Sequence, residues 1–256
     1  MFLKSADADL FVTSAGAGQR HFVAHGGWVG SGELWALPFE SLSRTWRTHT
    51  YDHRGTGATV TRGGRITFDL LVDDLFRVLD ALAIERCVLA GESSGASVVL
   101  AAALREPARF EGLVLVDGRW HGGRSAGADR MIAGCKADFE ATMEAFVAAC
   151  VPEEDCAAER RWAKQIVMRS NGPDAVQLLE CLEPLQLEPR LGEIALPTLL
   201  VHGGRDVITP PAMSEALLKA LPRAQLVMIE DAGHVPTLTR PAGVVQAIEA
   251  FFAAHP

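Results

Sequence analysis

The sequence has no dense basic run, no long apolar run and no closely spaced pair of cysteines. Its 24 lysines and arginines stand against 32 aspartates and glutamates, which gives a formal net charge of −8. Because no cluster of basic residues is available to follow a phosphate backbone, we expect no nucleic-acid partner. Nowhere do about 18 uncharged apolar residues follow one another, and the polar, acidic start lacks the apolar core of a signal peptide. We therefore expect no membrane association and a cytoplasmic protein.

Cysteine usage argues against two further classes of protein. The cysteines are odd in number and include no Cys-x-x-Cys pair, so the sequence indicates neither a disulfide framework nor a zinc site. We expect buried, reduced thiols instead. A chain of 256 residues with 48% hydrophobic and 22% charged residues is typical of one globular domain, or of one domain with an insertion. The five cysteines are Cys87, Cys135, Cys150, Cys156 and Cys181.

Short apolar runs alternate along the chain with longer stretches of helical periodicity. This alternation predicts an α/β fold, with a mostly parallel central sheet flanked by helices. Thr67 is placed to cap the first turn of the predicted helix 68–83. The predicted strands cover residues 9–13, 21–24, 47–51, 86–90, 112–116, 198–202 and 225–229, and the predicted helices cover 68–83, 94–104, 211–221 and 242–253.

The segment 119–190 interrupts this alternation. It contains helical patterns but no convincing strand, so we predict a helical lid inserted between two strands of a core built from residues 1–118 and 191–256. The apolar side chains of the lid are expected either to line a pocket or to pack the lid onto the core. These side chains are Met131, Ile132, Phe139, Met143, Phe146, Trp162, Ile166 and Met168.

A Gly-Glu-Ser-Ser-Gly stretch at residues 91–95 matches the pattern G-x-S-x-G. Alone the pattern is weak, since glycine and serine are common in ordinary turns. Here it lies where a predicted strand ends and a predicted helix begins. Glycines at a sharp strand-to-helix turn remove side chains that would collide with neighbouring elements, and they leave the central serine exposed as a nucleophile. The sequence therefore predicts that Ser93 is a nucleophile.

A serine hydroxyl needs a base, and the base needs a group that orients it. Asp206 follows the predicted strand 198–202, and His234 lies in the loop after the next strand. The order serine, acid, histidine and the position of each residue beyond the carboxyl end of a strand favour a catalytic triad. Asp117, which ends the strand before the insertion, is a second candidate for the acid, although the turn around Asp206 matches the commoner pattern.

The stretch His25-Gly26-Gly27-Trp28 follows another apolar strand. Acyl transfer needs two N–H donors directed at the developing oxyanion. We assign these donors to the backbone of Gly27 and of Ser94, with Trp28 in place of Gly27 if the loop is shifted by one residue.

With these motifs in place, the chain resembles the α/β-hydrolase fold superfamily, in particular its serine esterase and lactonase-like branch with a helical lid. The resemblance extends from near residue 20 to the end, except in the insertion. It implies that Ser93 is the nucleophile, Asp206 the acid and His234 the base, and that Asp52 and Arg54 shape a structural loop. The matching stretches are HGGW at 25–28, YDHRGTGAT at 51–59, GESSG at 91–95, HGGRD at 202–206 and AGHVP at 232–236.

One departure from the family pattern lies beside the nucleophile. Glu92 and Ser94 stand where relatives often carry histidine and methionine or glycine. An ionised Glu92 beside Ser93 would change the pH dependence of the reaction, and neither the turn nor the triad explains its presence.

The predicted activity is hydrolysis of a small or medium, largely apolar ester or lactone through an acyl-enzyme, with no metal and no organic cofactor. A serine nucleophile argues against the dehalogenases and epoxide hydrolases of the same fold, which need a carboxylate. The same triad also suits thioester hydrolysis, carbon–carbon bond hydrolysis of a diketone, or perhydrolysis. A non-catalytic ligand receptor on this scaffold is a further alternative, which the complete triad disfavours.

Two residues are predicted to meet the substrate. Trp28 and Trp120 are expected at the mouth of the pocket, because one follows the oxyanion strand and the other follows the strand that leads into the lid. If the substrate carries a carboxylate, Arg119 or Arg124 is placed to bind it. The sequence gives no indication of the oligomeric state.

Overall fold

A computed structural model describes residues 1–255 and contains one large, mostly parallel β-sheet. Within these residues the strands are β1 (Phe2–Lys4), β2 (Ala8–Ala15), β3 (His21–His25), β4 (Arg47–Tyr51), β5 (Val60–Thr61), β6 (Cys87–Glu92), β7 (Phe110–Val116), β8 (Thr198–Gly203) and β9 (Ala224–Ile229).

The strand order is β1-β2-β4-β3-β6-β7-β8-β9, with β5 paired to β2. From β4 to β9 every neighbouring pair is parallel, whereas β1, β2 and β5 pair antiparallel at one end of the sheet. The carboxyl ends of β3, β6, β7, β8 and β9 therefore meet at one edge. All seven predicted strands are present, and the fold class predicted from the sequence is confirmed. The sequence did not predict β1 and β5, which have only three and two residues and no apolar run.

Helices cover both faces of the sheet. The helix α3 packs on β6 and on α2, while α1 packs against α10 and α10 contacts β8. Thr67 caps α2 as predicted, since its hydroxyl oxygen accepts a hydrogen bond from the N–H of Leu70. The helices are α1 (Ala36–Leu42), α2 (Phe68–Ala81), α3 (Gly95–Arg105), α4 (Ala126–Ala137), α5 (Phe139–Cys150), α6 (Ala157–Val167), α7 (Gly172–Glu180), α8 (Ala212–Ala220), α9 (Pro236–Thr239) and α10 (Pro241–Ala254).

Four of these helices, α4 to α7, are inserted between β7 and β8. Their apolar side chains continue the core of the sheet, with Met143 and Ile166 fully buried. Phe146 and Met131 are only partly buried, which leaves them available to line a cavity. The insertion thus both packs on the core and retains apolar surface near the carboxyl edge.

The five cysteines are all buried, and none of them, each within the described part of the chain, forms a disulfide. Among residues 1–255, no helix has the length and apolar character needed to cross a membrane.

A buried ion pair holds the loop after β4. The Arg54 guanidinium, 2% exposed, donates from Nε to the fully buried Asp74 of α2 over 2.6 Å and from Nη2 over 3.1 Å. Asp7 also contacts Arg54 at 2.9 Å, and Arg77 donates to Asp74 over 2.8 Å. A buried charge depends on its partners, because the cost of removing it from water is large. Arg54 therefore has the loop-shaping role predicted for it.

Replacing Arg54 should destabilise the protein strongly. Arg54→Met leaves the Asp74 carboxylate buried with Arg77 alone, so we expect the free energy of unfolding to fall by about 3 kcal/mol in urea denaturation. Arg105→Met is the control, because Arg105 pairs with Asp73 on the surface and its loss should cost less than about 1 kcal/mol. The double variant Arg54→Met/Asp74→Leu should recover part of the loss. Equal effects of the two single variants would contradict this account.

Candidate active site

Ser93 occupies a sharp turn between β6 and α3. Its φ of +52° lies in the left-handed region, which a residue with a side chain adopts only at a cost of about 1–3 kcal/mol. Gly91 and Gly95 make the turn possible: a Cβ on Gly91 would lie 2.6 Å from the Gly95 oxygen, and one on Gly95 would lie 2.2 Å from the Gly26 oxygen. The Ser93 N–H donates to the carbonyl of Val116 on β7 over 2.9 Å, which ties the turn to the sheet.

His234 and Asp206 continue from Ser93 as a chain of hydrogen bonds. His234 Nε2 lies 2.9 Å from Ser93 Oγ, and His234 Nδ1 lies 2.7 Å from Asp206 Oδ2. The second Asp206 oxygen accepts from the N–H groups of Ile208 and Thr209 over 2.7 and 3.0 Å. With its proton on Nδ1, His234 donates to Asp206 and leaves Nε2 free to accept the proton of the serine. The structure thus brings together the three residues that the sequence singled out.

Asp117 does not occupy the orienting position. Its Oδ1 accepts from the Gly203 N–H over 2.8 Å, and within residues 1–255 its Oδ2 has no hydrogen-bond partner. Burial, helped by the nearby negative charge of Asp206, raises the pKa of Asp117 well above its usual range. Asp206, and not Asp117, therefore holds the contact with His234.

Asp117, Asp206 and His234 have potential metal-ligating atoms within 4.8 Å of one another. Asp206 and His234 are already joined by their hydrogen bond, and burial raises the pKa of Asp117 well above its usual range. Metal ligation requires a deprotonated carboxylate and a free imidazole nitrogen, so this cluster suits a proton relay better than a cation.

Two backbone N–H groups lie beside the nucleophile without a protein acceptor. Within the described residues, the N–H groups of Gly27 and Ser94 donate to no protein group. Gly27 is close to the nucleophile, since a Cβ built on it would lie 3.4 Å from the Ser93 Cβ. Ser94 directly precedes α3, where unsatisfied N–H groups favour negative charge. These groups are suitable donors for an oxyanion.

The sequence analysis missed His53, which orients the Gly27 peptide. His53 Nε2 lies 2.8 Å from the Gly27 oxygen, and its ring stacks on His25 with 4.8 Å between centroids. Asp52 fixes the same region, because its carboxylate accepts from the N–H groups of Gly32 and Ala58 over 3.0 and 2.7 Å. The DHRGTG stretch thus supports the loop that carries Gly27. The sequence did offer a signal for this role, because His53 lies between Asp52 and Arg54 in the DHRGTG motif.

The sequence analysis also missed the contacts that hold the loop of His234. The His234 N–H donates to the carbonyl of Cys150, at the end of α5, over 2.9 Å. The Gly233 N–H donates to Glu153 Oε1 over 2.7 Å, and Glu153 is only 1% exposed. Both acceptors belong to the insertion. The inserted segment therefore fixes the loop that carries His234.

A cavity of about 700 Å³ opens on Ser93. Trp28 and Phe146 form an aromatic wall, with ring centroids 5.2 Å apart, and the Trp28 indole donates to the Ala175 carbonyl over 2.8 Å. Trp120 does not line this cavity, contrary to expectation: its indole is buried and donates to Met213 of α8 over 3.2 Å, since a buried indole N–H needs an acceptor. Other lining residues include Ser94, Arg119, Met131, Ala141, Ala145, Leu179, Leu182, Val207 and Ile208.

Glu92, beside the nucleophile, is 1% exposed, and both of its carboxylate oxygens lie 2.9 Å from the Thr237 hydroxyl of α9. Burial raises the pKa of Glu92 to about 8; the hydrogen bond from Thr237 opposes this shift, and the negative charge of Asp206 adds to it. At pH 7 Glu92 is therefore mostly neutral. It links the serine turn to the helix that follows His234.

Glu92 should make stability depend on pH. The folded-state pKa of about 8 lies above the unfolded-state value of about 4.3, so the folded protein holds one more proton between these pH values. The stabilisation is complete below about pH 4.3 and falls by about 1.4 kcal/mol per pH unit as the pH rises to about 8. Glu92→Gln should remove this part of the slope in urea denaturations from pH 5 to 8. The exposed Glu249→Gln is the control, and a Glu92→Gln slope equal to that of the control would refute this role.

Comparison with known proteins agrees with this architecture. The family model of the α/β hydrolase fold matches residues 20–241. The chain is 29% identical over 260 residues to the pimeloyl-(acyl-carrier protein) methyl ester esterase of Nitrosomonas europaea, covering 95% of this chain and 99% of that protein. It is 30% identical over 261 residues to the putative carbamate hydrolase RutD of Pseudomonas syringae pv. syringae, covering 98% and 96%.

The structure is also similar to the crystal structure of a hydrolase from Pseudomonas aeruginosa PA01. The TM-score is 0.89 at 26% sequence identity, and the alignment covers 98% of this chain and 97% of that one. The family model, the relatives and the shared fold all extend over nearly the whole chain. The chain therefore belongs to the α/β-hydrolase fold family and is a hydrolase of that type.

Proposed function

We propose that this hydrolase cleaves a small or medium carboxylic ester or lactone, with a largely apolar body, through an acyl-enzyme on Ser93. The observation that carries the proposal is the continuous hydrogen-bond chain from Ser93 through His234 to Asp206. A serine in contact with an oriented imidazole is the arrangement that nucleophilic acyl transfer requires.

In the first half of the reaction, Ser93 Oγ attacks the substrate carbonyl while His234 Nε2 takes its proton. Asp206 accepts the Nδ1–H bond and stabilises the imidazolium that forms. The carbonyl oxygen becomes negative and receives hydrogen bonds from the N–H groups of Gly27 and Ser94. His234 then returns the proton to the leaving alcohol, which yields the acyl-enzyme.

In the second half, water takes the place of the alcohol. His234 removes a proton from the water, the hydroxide attacks the acyl carbonyl, and the same two N–H groups bind the oxyanion. Release of the acid restores the Ser93 hydroxyl. Two observations support this cycle: the imidazole lies within hydrogen-bond distance of the serine, and among residues 1–255 both N–H donors are free of protein acceptors.

The substrate class follows from the cavity. Its volume of about 700 Å³ and its wall of alanine, leucine and aromatic side chains suit a small or medium apolar body. The inserted helices supply most of this wall, so we assign residues 119–190 the role of a lid on a core of residues 1–118 and 191–256. One relative is named as a methyl ester esterase, which is consistent with ester chemistry.

Ser93→Ala should lower kcat on p-nitrophenyl esters by about 10⁴-fold or more, since it removes the nucleophile. A fluorophosphonate probe should label the wild-type protein at Ser93 and should not label the variant. A panel of p-nitrophenyl esters, lactones and acyl thioesters should show ester or lactone cleavage as the fastest reaction. An unlabelled wild-type protein, or a variant with near wild-type turnover, would exclude the proposal, and preferred thioester cleavage would redirect it to the thioester alternative.

The two candidate acids are separated by a matched pair of asparagine substitutions. Asp206→Asn should lower kcat by about 10⁴-fold, because the imidazole loses the acceptor that fixes its tautomer. Asp117→Asn should keep kcat within about threefold of wild type, since the neutral amide retains an acceptor for the Gly203 N–H. Steady-state kinetics at pH 7.5 and thermal unfolding of both variants complete the test. The reverse order of effects would transfer the orienting role to Asp117.

A further inference from the structure

Arg119 lies beside the nucleophile and lines its cavity. The Arg119 N–H donates to the Ser93 carbonyl over 2.9 Å, and the Arg119 carbonyl accepts from the Ser97 hydroxyl over 2.8 Å. Both backbone groups are thus attached to the serine turn and to α3. The side chain therefore leaves the backbone at a fixed position next to Ser93.

The guanidinium of Arg119 lacks a counter-ion. In the described part of the chain it forms no ion pair, and its one hydrogen bond is from Nε to the carbonyl of His121 over 3.3 Å. The residue is only partly exposed, and burial lowers the pKa of Arg119 from its usual value. A guanidinium carries five N–H donors, so most of them remain available for a ligand.

Two nearby arginines, Arg124 and Arg130, differ from Arg119 in their pairing or their exposure. Arg124 pairs with Asp129 at 2.5 Å and with Glu183 at 4.0 Å, and it does not line the cavity. Of the two arginines that the sequence offered for a carboxylate, Arg119 alone lies in the right place. The other charged residues on the cavity wall are Arg130, which is exposed, and Asp138, whose carboxylate caps α5 through the Ala141 N–H.

We propose that Arg119 binds a carboxylate of the substrate, so that the preferred substrate is an ester or lactone with an apolar body and a separate anionic end. This inference rests on the proposed function and specifies its substrate. A planar guanidinium binds a carboxylate through two parallel hydrogen bonds, and these are strong where water is largely excluded. One positive charge also matches a carboxylate better than the nearly doubly charged phosphate monoester.

The test compares esters that differ only in charge. Mono-p-nitrophenyl glutarate is paired with p-nitrophenyl pentanoate to place the carboxylate on the acyl side. The pair 4-butyryloxybenzoate and phenyl butyrate places it on the alcohol side. For the wild type we expect kcat/KM to be at least tenfold higher on the anionic member of at least one pair.

Arg119→Met should reduce the anionic-to-neutral ratio of kcat/KM by about tenfold to a hundredfold, mainly through KM, because the interaction acts on bound substrate as well as on the transition state. Arg119→Lys, which keeps the charge, should restore part of the ratio. Arg124→Met is the matched control and should leave the wild-type ratio. Circular dichroism and fluorophosphonate labelling of Ser93 check that each variant is folded and competent.

The outcomes separate this inference from the proposed function. If the wild type cleaves neutral esters and is labelled at Ser93 but shows no preference for either anionic ester, the carboxylate subsite is refuted and the serine hydrolase remains. The same holds if Arg119→Met and Arg124→Met change the ratio equally. If Ser93 is not labelled and no ester is cleaved, the proposed function itself fails. If Arg119→Met does not fold, the absence of a preference in the wild type still refutes the subsite, and a preference that Arg119→Lys does not lower but Arg130→Met removes assigns the subsite to Arg130 and refutes the proposal.

Discussion

The steric constraint at Ser93 is the feature on which the site depends. A side-chain-bearing residue is held at φ +52° between two glycines: the missing Cβ of Gly91 lets β6 approach α3, and that of Gly95 lets α3 approach the loop after β3. This turn directs the Ser93 hydroxyl to His234 and exposes the Ser94 N–H at the start of α3. The strain, on the order of a few kcal/mol, is maintained by two hydrogen bonds. The Ser93 N–H donates to Val116 at the end of β7, and the Ser93 carbonyl accepts from Arg119 in the loop that follows β7.

Parallel pairing explains why residues far apart in sequence meet at this turn. The strands β3, β6, β7, β8 and β9 all end at one edge, so their following loops converge. Each of these loops contributes one element: Gly27, Ser93, Asp117, Asp206 and His234. Three carboxyl groups, those of Glu92, Asp117 and Asp206, lie close together at this edge. Asp206 accepts from two backbone N–H groups, whereas burial raises the pKa of Asp117 and brings that of Glu92 to about 8.

Much of this arrangement was predictable from local pattern. Runs of apolar, aromatic or β-branched residues marked the seven longer strands, and the order of serine, acid and histidine at strand ends selected Ser93, Asp206 and His234. The pattern favoured Asp206 but left Asp117 as an alternative, since both follow adjacent strands and the orientation of their side chains depends on packing. The same reason explains the missed contacts of His53 and Glu153 and the unexpected position of the Trp120 indole. Such contacts join residues many positions apart, and no local periodicity encodes them.

The two hydrogen bonds that join the insertion to the loop of His234 have a consequence for how this chain can be altered. Cys150 and Glu153 supply acceptors to the backbone of His234 and Gly233, so the segment that lines most of the cavity also fixes the loop of His234. Exchange of the inserted helices for those of another hydrolase changes specificity without loss of turnover only if the donated segment again presents a carbonyl and a carboxylate at these two points. The insertion therefore has two fixed anchor points, Cys150 at the end of α5 and Glu153 in the loop that follows, and any exchange has to preserve both.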